Sequence, residues 1–316
     1  MKFSIIIPAR NEEQGLQVLL PDLLEQYPGV EIIVVNDGST DNTQQVCKDA
    51  GVIVVKHPYS KGNGAAVKAG ARVATGDYLV FMDADGQHSP ADIARLLEKV
   101  DEGFDLVVGA RSGRDSQASV ARWSANAFYN GFASWMVNRK IDDLTSGFRC
   151  VDRRKFLSFH YLLPNGFSYP TTSTMAFFRA GYSVGFVPIT VAKRLGKSHI
   201  SVVKDGVRFL LIIFKVGTLY SPLKVYFPAA ALVTALGLLN YFLTVVNSGW
   251  RFTNMSTMLI LAGMVMFLIG LLSEQLTNLQ FKDVGDESEQ RPGRMESPEP
   301  GRDKVSQPLD ITDKVS

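Results

Sequence analysis

Cysteine is scarce in this chain: 316 residues carry only Cys47 and Cys150. Two thiols so far apart exclude a disulfide framework and a zinc site, so a reducing compartment is the default and both read as packing residues. Histidine is nearly as rare, and none of His57, His88, His160 and His199 stands in an obvious catalytic spacing. A signal peptide is not evident either. The one early apolar run, residues 3–7, stops at Pro8 and gives way to Arg10-Asn11-Glu12-Glu13, so a folded cytosolic domain is expected from the N-terminus onward. With 46% hydrophobic residues and a net charge of +2, the composition alone decides no class, but the length allows a catalytic-sized domain and something further.

What is present falls into three zones. Up to about residue 188, short branched apolar runs alternate with helical periodicity, which predicts an α/β domain. The runs 4–7, 32–35, 52–55, 78–82 and 106–108 read as buried, largely parallel strands. Leu16, Leu19, Leu20, Leu23 and Leu24 place one apolar stripe on a helix between the first two. Ser89-Pro90-Ala91-Asp92 predicts another helix start, with Ser89 as cap, Pro90 in the first turn and Asp92 reaching back.

The second zone holds two long apolar segments. Residues 225–246 carry no charge, and after a polar loop, 247–254, residues 255–272 are again apolar, which predicts a transmembrane hairpin over 225–276. Two helices buried in a soluble core are the alternative. Lys193, Arg194, Lys197, Lys204, Arg208, Lys215 and Lys224 precede the hairpin, against Arg251 alone in its loop, so both chain ends are expected in the cytosol. Residues 202–224 mix apolar and basic side chains and suit either a membrane-surface helix or one packed on the soluble domain. Residues 283–316, rich in Pro, Glu, Asp, Gly and Ser, are expected to form a disordered tail.

The most informative motif is Asp83-Ala84-Asp85-Gly86-Gln87, which follows the strand at 78–82. Open α/β sheets bind ligands at the carboxyl ends of their strands. Asp83, Asp85 and Gln87 offer hard oxygen ligands to Mg²⁺ or Mn²⁺, leaving positions for substrate phosphates, so a diphosphate partner is implied. An EF-hand calcium loop is excluded, because its sixth and twelfth positions hold His88 and Ala94 instead of Gly and Glu. A solvated acidic turn remains the other reading of the triplet alone. Polar loops after the first two strands, Pro8-Ala9-Arg10-Asn11-Glu12 and Asn36-Asp37-Gly38-Ser39-Thr40-Asp41, point to a pocket on the same sheet edge. Asp37 would accept hydrogen bonds from a nucleobase or ribose, or else cap the helix that follows. Lys61-Gly62-Asn63-Gly64 opens another helix and would set a cation and backbone amides near an anion, although it matches neither the dinucleotide fingerprint nor the P-loop.

In order, Pro8 to Glu12, Asn36 to Ser39, Lys61 to Gly64, Asp83 to His88 and Thr145-Ser146-Gly147-Phe148-Arg149 resemble the family 2 glycosyltransferases, nearest the dolichyl-phosphate mannosyltransferase and polyprenyl-phosphate glycosyltransferase group. The resemblance covers residues 2–201 and implies a GT-A domain over 1–201 with a mostly parallel sheet. It implies nucleotide contacts from Pro8, Arg10, Glu12, Asp37, Lys61 and Asp83, and metal contacts from Asp83, Asp85 and Gln87. Arg111 matches an arginine that faces phosphate. Arg122 falls where the acceptor loop carries an arginine for the lipid phosphate, although the serine expected four residues later is Asn126. Arg194, with Gly196, Lys197 and Ser198, resembles a segment that closes over the diphosphate, except that His199 replaces its final lysine. Residues 167–174 hold no carboxylate where many relatives carry an acidic pair.

The reaction these features imply is transfer of a sugar from a UDP- or GDP-linked donor to a polyprenyl phosphate at the cytosolic membrane face, with inversion and with catalytic contributions from Asp85, Arg111, Arg122 and Arg194. A lipid phosphate is already anionic, so no strong general base is required. The partners expected are the nucleotide sugar, the polyprenyl phosphate and the bilayer, with no nucleic acid. Competing readings are a membrane glycosyltransferase that extends a glycan or glycolipid, and a non-catalytic membrane scaffold. The first lacks the Gln-x-x-Arg-Trp motif of processive members, and the second has no use for clustered carboxylates that repel one another without a metal.

Overall fold

The computed structural model describes residues 1–111, 120–166, 168–192, 214–215, 217–250 and 253–286, with the side chains of 120–126, 248 and 282–286 excepted. Seven strands are described: β1 (Phe3–Ala9), β2 (Glu31–Asn36), β3 (Ile53–Lys56), β4 (Tyr78–Phe81), β5 (Leu106–Arg111), β6 (Arg149–Asp152) and β7 (Val184–Ile189). They form one sheet in the order β3-β2-β1-β4-β6-β5-β7. Only β6 runs against its neighbours, β4 and β5; every other pairing is parallel. The carboxyl ends of β1, β2, β4, β5 and β7 and the amino end of β6 therefore share one edge.

Strand alternation divides the core. Ile5 and Ile7 face α1 (Glu13–Gln26) and α4 (Asp92–Asp101), with Leu16, Leu20, Ile93 and Leu96, while Ile6 faces the other layer. That layer contains α3 (Asn63–Val73), α5 (Val120–Val137), α6 (Arg153–Phe159) and α7 (Tyr169–Arg179). All three isoleucines are fully buried, each contributing roughly 2 kcal/mol by removal from water. α2 (Thr43–Asp49) completes the first layer, burying Cys47. Both cysteines are free and buried, and burial pushes the Cys47 thiol up to about 11.

Two expectations change here. β6 and β7 were not anticipated, and the helix after the acidic motif starts later than its sequence suggests. α4 begins at Asp92 with Ala91 before it, and no side chain caps it. Ser89 and Pro90 instead form a turn whose carbonyls accept from the Asp92 and Ile93 amides, while Asp92 pairs with Arg95 at 2.8 Å.

At the C-terminus, α8 (Pro222–Ser248) and α9 (Asn254–Asp286) form a hairpin. Both are long and apolar enough to cross a membrane, and only 11% and 17% of their most apolar stretches are buried, too little for core helices of a soluble domain. The helices cross closely at Gly263, where a Cβ would sit 2.1 Å from Thr234 Oγ1. α8 already includes residues 222–224, and α9 runs through 283–286, the start of the expected tail. Beyond its apolar stretch α9 meets the α/β domain, where Arg179 pairs with Glu274 at 2.7 Å, and its Phe281 ring packs on Tyr220, just before α8, at 5.8 Å.

Candidate active site

The site is assembled by loops leaving one sheet edge, and backbone amides meeting side chains stitch them together. Asn11 lies in the left-handed region at φ 54°, which lets its amide donate to Ser39 Oγ at 3.0 Å while its Oδ1 accepts from the Thr40 amide at 2.8 Å. The Glu12 amide donates to Thr43 Oγ1 at 3.1 Å, and the Glu13 amide to Asp41 at 3.3 Å. The loops after β1 and β2 are thus one unit, with Arg10 exposed and Pro8 and Glu12 half-buried beside it. Asp41, not Asp37, supports the start of α2, accepting from the Thr43 amide at 3.1 Å.

Asp37 has a different task. Its Oδ1 accepts from the Lys61 amide at 2.8 Å and lies 2.7 Å from His57 Nδ1; its Oδ2 accepts from Ser60 Oγ at 2.8 Å and the Gly62 amide at 2.9 Å. This corrects the anion reading of Lys61 to Gly64. The Lys61 and Gly62 amides serve Asp37, and the Ala65 amide donates to Asn165 O at 3.1 Å, so these amides are spent inside the fold. The Lys61 side chain is exposed, its ammonium 5.8 Å from the Tyr59 ring centroid. Burial opposes the Asp37 charge, but the His57, Lys61, Ser60 and Gly62 bonds outweigh it and hold its pKa below the usual value. Its contribution to stability is therefore complete above about pH 4 and fades as pH falls through the lower folded-state pKa. Asp37→Asn should melt lower than the parent at neutral pH, with the gap narrowing below about pH 4. Thermal unfolding followed by circular dichroism from pH 7 to pH 3 reads this, and parallel curves at every pH would refute it.

The acidic loop leaves β4 between two glycines that exclude side chains. A Cβ on Gly15 would lie 2.1 Å from Ala84 O, and one on Gly147 would lie 2.8 Å from Asp83 Oδ2. The loop is thereby wedged between the start of α1 and the segment entering β6. Asp85 is buried, with Oδ1 accepting from the Gln87 amide at 3.2 Å. Gln87 Nε2 donates to Ala192 O at 3.3 Å and Gln87 O accepts from the Ala192 amide at 3.0 Å, which leaves the amide Oε1 as the cation-seeking end. His88 stacks on Phe148 at 4.9 Å and 13°. Burial, only partly offset by Asp85, pushes its pKa down to about 4, which favours the neutral ring.

Among the described residues no three His, Cys, Asp or Glu side chains gather as a metal cluster. The donor set still fits a hard cation that keeps most of its shell for phosphate oxygens and water: two carboxylates and one amide oxygen on a loop with no slack.

Beyond the acidic loop stands Arg111, at the end of β5. It holds Asp143 in a fork, Nε to Oδ2 at 2.7 Å and Nη2 to Oδ1 at 3.0 Å, and Nη2 also donates to Thr145 Oγ1 at 2.6 Å. About a quarter of the side chain stays exposed (27%), so Asp143 positions a guanidinium that keeps an open face. Burial weakens its charge, but the Asp143 bonds, and to a lesser degree Asp83, raise its pKa. Burial likewise opposes ionisation of Asp143, and Arg111 holds its pKa low. Sequence reasoning missed Asp143. Its signal was local, since Asp143 also accepts from the Thr145 and Ser146 amides at 3.0 and 3.2 Å, the turn habit of Asp before Thr and Ser.

Arg149 was also missed as an individual. Its side chain is buried under the site, donating to Pro170 O at 3.0 Å, Ser173 Oγ at 2.8 Å, Thr174 Oγ1 at 3.2 Å and Ser146 O. The first three partners come from the first turns of α7, the stretch without carboxylates, whose residues 169–174 are all buried, and the fourth from the turn before β6. Arg122 belongs to α5, but its side chain lies outside the described residues, and so does all of Arg194.

Comparison with known proteins agrees with this architecture. Residues 4–158 match the family model described as glycosyl transferase family 2, and residues 221–279 match the one described as the GtrB C-terminal hairpin. The chain is 32% identical over 212 residues to a polyprenol monophosphomannose synthase of Mycolicibacterium smegmatis, covering 62% of this chain and 80% of that one. It is 31% identical over 220 residues to an undecaprenyl-phosphate mannosyltransferase of Micrococcus luteus, covering 64% and 88%. Among solved structures, glucosyl-3-phosphoglycerate synthase from Mycobacterium tuberculosis, crystallised with Mn²⁺, UDP-glucose and phosphoglyceric acid, aligns with a TM-score of 0.55 at 21% identity, over 68% of this chain and 78% of that one. That likeness shows the fold alone.

Proposed function

The chain belongs to glycosyltransferase family 2, with a GT-A-like domain and a GtrB-type hairpin, and from that premise we propose that it transfers a sugar from a nucleoside-diphosphate donor to a polyprenyl phosphate at a membrane surface. One observation carries the choice of acceptor. The hairpin is not a loose tether but is locked to the catalytic domain by Arg179–Glu274 at 2.7 Å and by Lys224, whose ammonium donates to Met136 O at 2.8 Å. An enzyme whose acceptor is confined to a bilayer gains from holding its site at that surface; a soluble acceptor gives no such reason. The relatives named for polyprenol and undecaprenyl phosphate support the same reading.

In this reading Asp83, Asp85 and Gln87 hold a divalent cation, Mg²⁺ or Mn²⁺. Such an ion, when bound, supplies charge neutralisation for the leaving diphosphate. The loop bearing Pro8, Arg10, Glu12 and Asp37 receives the nucleotide, Lys61 adds a cation at its edge, and Arg111, steadied by Asp143, faces phosphate. Arg122 and Arg194 are assigned to the acceptor phosphate and the donor diphosphate. The acceptor oxygen is already anionic, so the lining of α7 has no proton to remove, and buried hydroxyls suffice there. Basic residues before the hairpin support a cytosolic position for the catalytic domain and tail.

The test is transfer of radiolabelled sugar from a panel of UDP- and GDP-sugars into the organic phase, with purified full-length protein, polyprenyl phosphate and Mn²⁺ or Mg²⁺. We expect label in the lipid from one donor, abolished by EDTA and restored by the metal. Donor binding without label in the lipid from any sugar would overturn the lipid-phosphate acceptor. A single displacement should also invert the anomeric centre, and a product of retained configuration would refute that mechanism.

A further inference from the structure

We propose that α5 is a second membrane contact of this protein, lying along the bilayer surface with Phe128, Phe132 and Trp135 in the lipid at headgroup depth. The proposal rests on the reading of α8 and α9 as bilayer-spanning, and it adds a surface that neither the hairpin nor the basic stretch before it provides.

α5 carries two stripes of helical spacing. Tyr129, Ala133 and Met136, at i, i+4 and i+7, are buried in the core. Phe128, Phe132 and Trp135 repeat the same spacing one residue earlier; Phe128 and Trp135 are exposed, and Phe132 between them is half-buried against the core. Phe128 is 61% exposed and Trp135 48% exposed, yet the three rings form a continuous row, 6.4 Å from Phe128 to Phe132 and 5.7 Å from Phe132 to Trp135. An ordered apolar row left in water costs roughly 25 cal/mol for each Å² it fails to bury.

The surroundings of the row name its occupant. Lys224, in the first turn of α8, sends its ammonium to the carbonyls that end α5: Trp135 O at 3.1 Å, Met136 O at 2.8 Å, and Asn138 Oδ1 at 2.9 Å. The same ammonium lies 5.9 Å from the Trp135 ring centroid. α8 has 27 residues, a length of about 40 Å against a hydrocarbon core of about 30 Å, so its first turn stands at the headgroups. α5 is bonded to that turn and therefore sits at the same depth. Charge agrees with position. No acidic residue occurs within α5, and the exposed Arg139 follows it, as anionic headgroups favour, while Lys140 pairs with Asp142 at 2.7 Å. Tryptophan beside a lysine at the foot of a spanning helix is the side-chain chemistry of a membrane interface. With the hairpin and α5 both engaged, the domain cannot swing about its tether, and the site keeps one tilt toward an acceptor arriving within the bilayer plane.

Fluorescence depth quenching decides the matter. Full-length protein with Trp123→Phe and Trp250→Phe, leaving Trp135 as the sole tryptophan, is reconstituted in phosphatidylcholine–phosphatidylglycerol vesicles containing lipids brominated near the headgroup or deep in the chain. We expect Trp135 to be quenched several-fold more by shallow bromines than by deep ones, and to be shielded from aqueous acrylamide. In the otherwise unchanged chain, Trp135→Phe should lower the shallow-quenched fluorescence without abolishing it, because Trp250 stands in the hairpin loop at the opposite headgroups. Trp135 quenched by acrylamide and not by bromolipid would place α5 in water, and Trp135 quenched by neither would place it under protein, such as a second copy. Either result overturns the proposal. A separate variant lacking all three tryptophans and carrying Leu236→Trp, in the middle of α8 and exposed, tests the hairpin itself through deep quenching. Deep quenching there without shallow quenching at Trp135 would reject α5 alone, whereas loss of both would reject the membrane reading as well.

Discussion

Asp85→Ala should lower sugar transfer by about a thousandfold or more while leaving the melting temperature within a few degrees of the parent. The magnitude follows from the proposed role of Asp85 as a metal ligand: several kcal/mol of stabilisation of the departing diphosphate corresponds to about three powers of ten in rate. The small effect on stability follows from how the loop is held. Asp85 Oδ1 accepts from the Gln87 amide at 3.2 Å within its own turn, and the loop is wedged independently by Gly15 and Gly147. Removing one of two neighbouring carboxylates also relieves their repulsion. Asp85→Asn should fall between, since an amide oxygen still coordinates but carries no full charge. Initial rates over a Mn²⁺ titration, together with calorimetry, check this, and an alanine variant within tenfold of the parent rate would remove Asp85 from the metal site.

Arg149→Ala should act in the opposite way, through the fold. The guanidinium is buried with four acceptors around it, three from α7 and one from the turn that carries Gly147. Truncation leaves a cavity and strips the Pro170 and Ser146 carbonyls of a charged donor, a loss of about 3 kcal/mol or more. For a domain of this size that is a fall of roughly 6–12 °C in melting temperature. Arg149→Lys keeps a charge but not the planar fork, so it should recover only part of the loss. Activity should drop in both, because Arg149 ties α7 to the turn that confines Asp83. A melting temperature unchanged within 2 °C in the alanine variant would show that the guanidinium is not a structural tie.

Much of the scaffold was legible. The runs at 4–7, 32–35, 78–82 and 106–108 became β1, β2, β4 and β5 nearly as read, because each is an uninterrupted branched apolar stretch. The hairpin was legible from length and the absence of charge. β6 and β7 were not, and the reason lies in their residues. β6 is four residues with Arg149 and Asp152 at its ends, and β7 contains Gly185 and Pro188, so neither advertises a strand. Each exists because a neighbour presents a ladder: β6 lies between β4 and β5, and β7 adds to β5 at the sheet edge, where a proline is tolerated.

The site divides along the same line. Asp83, Asp85 and Gln87 follow a strand within five residues, so a local motif names them together. Asp37 with His57, and Arg111 with Asp143, are 20 and 32 residues apart. By itself the sequence determined the α/β alternation, the acidic loop at a strand end and the apolar hairpin, because periodicity and composition act over a few residues and need no partner. Only the tertiary structure decided which charges are spent on one another: Asp37 on the 57–62 loop, Arg111 on Asp143, Arg149 on α7, and Lys224 on the end of α5. Those pairings depend on which strand ends and helix ends become neighbours. That is set by the order β3-β2-β1-β4-β6-β5-β7, which the local pattern of any one segment does not encode.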